Sequence, residues 1–147
     1  MIDDEEAVLR SVRRRLEREG YAVETAGDAV EGTKRILEES QPFDAIVTDM
    51  SMDSPDSGLR VLHAAFSRDL FAAVIVMTAY GNVTNAVECM RRGAYDYIEK
   101  NAPGVDAYEL LTEKLNQALD RRRRDARAVA MFDRFSIKSE IEPSDSD

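Results

Sequence analysis

Phe43-Asp44-Ala45-Ile46-Val47-Thr48-Asp49 is a short apolar run that ends on a carboxylate, so a buried strand here delivers Asp49 to the edge of a sheet. Ala73-Val74-Ile75-Val76-Met77-Thr78 is β-branched and apolar on both faces, the pattern of a central parallel strand. Tyr95-Asp96-Tyr97-Ile98 is a further short strand leading to Lys100, and Tyr21-Ala22-Val23-Glu24-Thr25-Ala26 alternates as a strand does. Helical segments separate these runs. Asp4 is placed to cap a helix through about residue 19, with Glu5 and Glu6 against its dipole, Gly20 at its end, and Ala7, Val8, Val12 and Leu16 as its apolar stripe. Asp28 and Glu31 read as a capping box for a helix reaching Ser40, and Pro42 forbids its continuation. The loop 50–58 is too rich in turn formers to be regular. Helices are expected over 59–68, from 82 or 83 to 92 where Gly93 ends it, and from Asp106 to about Met131.

Strands separated by single helices require a parallel sheet with right-handed crossovers and helices on both faces, an α/β doubly wound architecture. Ligands of such sheets sit beyond the carboxyl ends of the strands, where strand order reverses. Asp49, Thr78 and Lys100 all fall at such ends, far apart in sequence and expected together in space.

Composition narrows the function. A chain of 147 residues, 44% of them hydrophobic, builds one core and leaves no room for a second catalytic domain. No apolar stretch approaches bilayer length, and acidic residues stand where a secretory signal would be basic, so a cytoplasmic protein without membrane insertion is expected. One cysteine excludes a disulfide framework and a cysteine zinc cluster. The net charge of −9 argues against direct nucleic-acid binding, which requires a cationic surface.

The acidic pair Asp3-Asp4 read alone is a solvated helix start. Converging with Asp49 it becomes a cluster of carboxylates that repel one another unless a hard cation relieves them; Mg²⁺, or Mn²⁺ in its place, suits a site of few protein ligands and several waters. Thr78 and Lys100 at the next strand ends add a hydroxyl and an ammonium, the groups a phosphoryl oxygen needs. Tyr97 alone reads as core. His63 has no metal-ligand partner, and Cys89 has neither histidine nor catalytic spacing and reads as a packing thiol. Arg121 to Arg124 circle a helix rather than forming one stripe and read as a solvated helix end.

Ile2-Asp3-Asp4-Glu5, Val47-Thr48-Asp49-Met50, Val76-Met77-Thr78-Ala79-Tyr80-Gly81 and Gly93-Ala94-Tyr95-Asp96-Tyr97-Ile98-Glu99-Lys100, in this order, resemble the response-regulator receiver domain, the chemotaxis-type phosphoacceptor module of two-component signalling. The resemblance covers about residues 2–120, within a receiver domain taken as 1–131 and followed by a disordered acidic tail over 132–147. It implies a five-stranded parallel sheet in flavodoxin-like order. Asp49 is then the phosphoacceptor, receiving its phosphoryl group from a phosphohistidine of a sensor kinase or phosphotransfer protein. Asp4 and Asp49 ligate Mg²⁺ directly, Asp3 acts through water, and the Ser51 carbonyl supplies a further oxygen. Lys100 neutralises phosphoryl charge and Thr78 hydrogen-bonds it, drawing Tyr97 inward and changing the surface of the fourth helix, fifth strand and fifth helix for an unknown downstream protein, with dimerisation on phosphorylation as one outcome. Ala79 leaves room for the phosphoryl group, and Ser51 and Tyr80 flank it. The protein is on this reading a phosphoacceptor, not an enzyme.

Three departures accompany the resemblance. Lys100 precedes Asn101 where the family has proline, and a non-proline cis bond costs about 2.5–4 kcal/mol, so a trans loop that shifts Lys100 is expected. The loop after Asp49 is one residue longer than usual and lacks the proline after Met52. Only Met1 and Ile2 precede Asp3, so a truncated first strand is expected, its place taken by an upstream start, another chain or a shifted segment. A receiver that binds partners with impaired phosphorylation is the alternative this raises. An aspartate-nucleophile phosphatase would want a second aspartate where Ser51 stands.

Overall fold

The computed structural model describes residues 1–141, with side chains as far as Ser136. Helices α1 (Glu6–Arg18), α2 (Ala29–Glu38), α3 (Ser57–Arg68), α4 (Val83–Arg91) and α5 (Ala107–Ile141) surround strands β1 (Ala45–Asp49), β2 (Ala73–Ala79) and β3 (Asp96–Lys100). The strands are all parallel, with β2 in the middle. Alternation along β2 builds two cores at once. Val74 and Val76 pack with Ile46, Val61, Leu62, Ala65 and Cys89 on one face, while Ile75 and Met77 pack with Val47, Ile98, Val12, Leu16, Leu111 and Leu115 on the other. This is why the run is apolar at every position.

Among the described residues three strands form ladders where five were expected. In place of the other two, Ile2 makes single parallel bridges, to Thr48 on one side and Ala26 on the other. Its N–H donates to Val47 O at 2.8 Å and its carbonyl accepts from Asp49 N at 2.9 Å. Among the described residues only Met1–Asp3 lies beside β1 on that side, so most of the extended segment 21–25 has no backbone ladder to join. The Met1 ammonium donates to Glu24 O at 2.9 Å, and burial lowers its pKa to about 6.

Other expectations are corrected locally. Asp4 does not cap α1: Glu5 is the N-cap, with no side-chain bond, and the nearby turn is closed by Asp3, whose Oδ1 accepts from Glu5 N at 2.9 Å. Ala7 is exposed, leaving Val12 and Leu16 as the buried stripe, with Val8 packed against it. The capping box holds, Asp28 accepting from Glu31 N at 2.7 Å, although the Glu31 carboxylate returns to Gly27 N. Helix α5 runs through Ile141, the last described residue, so it takes in most of the segment expected to be a tail; residues 142–147 lie outside the described residues. The arginine cluster is consequently mid-helix. Arg122 is drawn inward onto Asp69 at 2.6 Å, tying α5 to the end of α3. Arg68 caps the neighbouring helix, its guanidinium donating to the carbonyls of Leu37, Glu39 and Ser40.

Candidate functional site

The register of the sheet sets the site. Asp49 pairs with Met77, and Ala79 pairs with Lys100, so Asp49, Thr78 and Lys100 end three adjacent strands at one edge. Met1–Asp3 runs alongside β1 to the same edge through the Ile2 bridge and brings Asp3 there. One carboxylate oxygen each from Asp3, Asp4 and Asp49 lie within 4.8 Å of one another. Asp3 is inaccessible and Asp49 nearly so, while Asp4 faces solvent. Two buried acids and an exposed third, all with hard oxygen donors, fit a small divalent cation that keeps part of its water shell.

Lys100 reaches the cluster despite Asn101. Its Nζ lies 2.7 Å from Asp3 Oδ2 and 3.3 Å from Asp49 Oδ2, with Glu5 at 4.0 Å. No cis peptide occurs among the described residues, and the chain turns after Lys100 through a left-handed Asn101, φ 57°. Asparagine is one of the few residues that tolerate this conformation. The expected displacement of Lys100 away from the site is therefore not found.

Burial pushes the Asp49 carboxyl above the usual range, with Asp3 and Asp4 adding to the effect and Lys100 opposing it. Burial alone would lower the Lys100 ammonium, but its hydrogen bond to Asp3 and the charges of Asp49 and Asp3 outweigh that and raise it. Lysine is thus the internal counterion of the acidic pair.

Thr78 is buried, and its Oγ1 forms no hydrogen bond among the described residues. Leaving a buried hydroxyl unsatisfied costs about 1–3 kcal/mol. Thr78 stands near the end of the strand adjacent to that of Asp49, and its hydroxyl is a donor without an acceptor among the described residues. Ala79 and Tyr80 beyond it are exposed. The following turn is fastened by Gly81 N, which donates to Glu99 Oε2 at 3.1 Å. Glu99 escaped sequence reasoning; its pairing register with Thr78 is the signal that could have found it. Tyr97 is half-buried and lines a shallow recess of about 380 Å³ with Val83, Ala86, Val87, Met90 and Arg91.

The loop after Asp49 is stiffened by its own polar groups. Ser57 Oγ donates to Asp53 at 2.7 Å, Arg60 binds the same carboxylate at 3.0 Å, and Ser51 Oγ donates to Pro55 O at 3.1 Å. The Ser51 carbonyl takes part in no hydrogen bond among the described residues, which leaves it available as a ligand. Gly58 donates to Met50 O at 2.8 Å, and a Cβ there would stand 2.9 Å from Met50 Cα and 3.0 Å from Asp49 O. Only glycine lets α3 press this closely on the strand end that carries Asp49. His63 is exposed on α3 and away from these groups, and Cys89 is buried with its thiol raised to about 11, sulfur to sulfur 3.5 Å from Met50. No helix among the described residues is long and apolar enough to cross a membrane.

The family model described as the response regulator receiver domain matches residues 1–121. The acid tolerance regulatory protein ActR of Rhizobium meliloti is 33% identical over 120 residues, covering 82% of this chain and 60% of the relative. The alginate biosynthesis transcriptional regulatory protein AlgB of Pseudomonas aeruginosa is 38% identical over 100 residues, 68% of this chain and 22% of its own. The chain thus spans less than two thirds of the length of these relatives. A response regulator receiver domain structure from Clostridium thermocellum superimposes with a TM-score of 0.72 at 32% identity, covering 83% of this chain and 93% of that one.

Proposed function

This chain belongs to the response regulator receiver family of two-component signalling, and from that premise we propose that it is a signalling switch set by phosphorylation of Asp49. The observation that carries the reading is the meeting of Asp3, Asp4 and Asp49 with Lys100 and the unpartnered Thr78 hydroxyl at one sheet edge. Asp49 Oδ attacks the phosphorus of a phosphohistidine; the P–N bond breaks and the imidazole leaves with its electron pair. Asp3, Asp4, Asp49 and the Ser51 carbonyl would hold Mg²⁺, which when bound supplies charge neutralisation at the phosphoryl oxygens.

Lys100 holds the site together before transfer and afterwards exchanges its Asp49 contact for a phosphoryl oxygen. Thr78 gains its missing acceptor from the same group. Drawing the Thr78 hydroxyl toward Asp49 strains the Gly81 to Glu99 tie and vacates space beside Tyr97, which closes the recess against α4. The surface formed by α4, β3 and α5 is thereby altered for the downstream partner. The kinase or phosphotransfer protein that donates, and the whole regulator's output, follow from the family and not from this chain's own residues.

Incubation with a small phosphodonor such as acetyl phosphate, with and without Mg²⁺, followed by intact mass, tests the reading. One acid-labile phosphoryl group that requires Mg²⁺ and is absent in Asp49→Asn is the expected result. An Asp49→Asn protein modified to the wild-type extent overturns it. A wild-type protein that stays unmodified while a partner still binds favours the phosphorylation-impaired receiver.

A further inference from the structure

Thr78 pairs in register with Glu99, and Val76 with Tyr97. Paired residues of a parallel ladder turn to the same side, so all four fall on the face where Val76 packs with Cys89 of α4. Tyr97 lines the recess against α4, and Glu99 stands two residues nearer the carboxylate edge. Beyond Thr78 the chain enters α4 through Ala79, Tyr80, Gly81 and Asn82, of which the first three are exposed. The backbone bonds of this turn are local, Asn82 N donating to Ala79 O and Val83 N to Gly81 O. Gly81 N–H instead donates to Glu99 Oε2 at 3.1 Å. Of the bonds made by residues 80–82 among the described residues, this one alone reaches another strand. Gly81 holds φ 83° with nothing within 4 Å of a Cβ built on it, so packing does not fix the turn and the carboxylate is its tether.

We propose that Glu99 is a positioning residue that holds this turn, and Thr78 with it, in the resting arrangement, and so sets the fraction of chains ready for phosphorylation. The inference rests on the Asp49 switch and names what holds that switch off. Strand order supplies the geometry. β2 lies between β1 and β3, so the turn after Thr78 has Asp49 on one side and Glu99 on the other. A phosphoryl group on Asp49 offers the Thr78 hydroxyl the acceptor it lacks and draws the turn toward β1. The Glu99 carboxylate holds Gly81, three residues along, toward β3. The two pulls oppose each other, and a hydrogen bond to an ionised acceptor is the stronger kind. A chain whose competent arrangement is a minor fraction reacts in proportion to that fraction, so releasing the tether raises the rate by the factor by which the fraction grows.

The test compares Glu99→Ala, which removes the acceptor, with Glu99→Gln, which removes the charge but keeps an acceptor oxygen on the same stem. Glu99 is only half-buried, so both variants should fold. Phosphorylation by acetyl phosphate with Mg²⁺, followed by intact mass, should run about tenfold faster in Glu99→Ala, a shift of about 1.4 kcal/mol. Glu99→Gln should stay within about threefold of wild type, since a neutral acceptor keeps a weaker form of the bond. The resting chain gives a second reading that needs no phosphoryl transfer. The Gly81 amide proton, deshielded by the carboxylate, should move upfield in Glu99→Ala, and the Tyr97 amide should shift with it. A Glu99→Ala protein phosphorylated no faster than wild type overturns the proposal. So does Glu99→Gln matching Glu99→Ala, because loss of a negative charge would then explain the gain, and so does a Gly81 amide that stays in place. A wild-type chain that takes no phosphoryl group overturns the Asp49 reading instead, and the resting shifts of Gly81 and Tyr97 then judge the tether by themselves.

Discussion

Lys100→Met keeps most of the side-chain stem and removes the ammonium that neutralises two buried acids. Asp3 is inaccessible and lies 2.7 Å from Nζ; Asp49, 3.3 Å away, is also buried. Taking one partner from a buried pair costs about 3–5 kcal/mol, because the remaining charge is left without compensation. A pair such as Arg13–Glu17, with both side chains about half exposed, is worth only about 0–1 kcal/mol. For a chain of this size about 2–4 °C accompany each kcal/mol, so Tm should fall by about 6–20 °C in metal-free buffer. Mg²⁺ should then restore more stability to the variant than it adds to wild type, since lysine no longer competes for the same oxygens. At about a hundredfold excess over Kd the added stability is about 2.7 kcal/mol. Circular-dichroism melts near neutral pH, with EDTA or Mg²⁺ and with Arg13→Met as the surface control, measure both effects. A Tm loss no larger than that of the control, or equal Mg²⁺ responses in variant and wild type, would refute the reasoning.

Asp4→Asn should leave the metal-free Tm within a few degrees of wild type, because Asp4 is exposed and caps nothing, while weakening Mg²⁺ binding about tenfold or more as read by calorimetry. Thr78→Val replaces an unsatisfied hydroxyl by a methyl group of similar shape, so it should be neutral or stabilising by up to about 1 kcal/mol in denaturant melts. The same variant should accept phosphate yet lose the phosphorylation-induced amide shifts around Tyr97; wild-type shifts would sink the switch. The Met1 ammonium has a folded pKa near 6 against an ordinary 8.0, so the unfolded chain binds the extra proton between these values. Its contribution is fully present above pH 8.0, is lost as pH falls through about 6, and amounts to at most about 3 kcal/mol. Chemical denaturation across that window should show this slope in the free chain and a flatter one after N-terminal acetylation.

Asp49, Thr78 and Lys100 were legible because burial on both faces leaves few ways to read an apolar run, and the residue ending it must emerge at the sheet edge. The Asp28 cap was legible for a similar reason, its partners being local. Asp4 was misread because Asp and Glu are interchangeable in a dipole argument, and only the turn closed by Asp3 decides which residue starts α1. The reach of Lys100 depended on the left-handed Asn101, a backbone choice that composition does not announce. Strand count failed where pattern was sufficient but partners were not: the segment 21–26 alternates as a strand should, yet a ladder needs a neighbour along its whole length. Helix α5 continues past Met131 because polar residues suit a solvent-exposed helix, so polarity alone does not mark where one stops.

The grip of Arg68 on the carbonyls at and just beyond the end of α2 has a mechanical meaning. It ties α2 to α3, and α2 is in turn seated on the sheet edge where Gly32 meets Ile2 so closely that a Cβ would stand 2.4 Å from Ile2 Cδ1. Farther along the same face, α4 buries only Ala86 and Cys89 and leaves Val83, Val87 and Met90 in solvent. The domain is therefore asymmetric in compliance. A pull on the sheet edge is not shared equally between a braced helix pair and a loosely held helix, so the switch proposed for Asp49 would find its easiest outlet through α4.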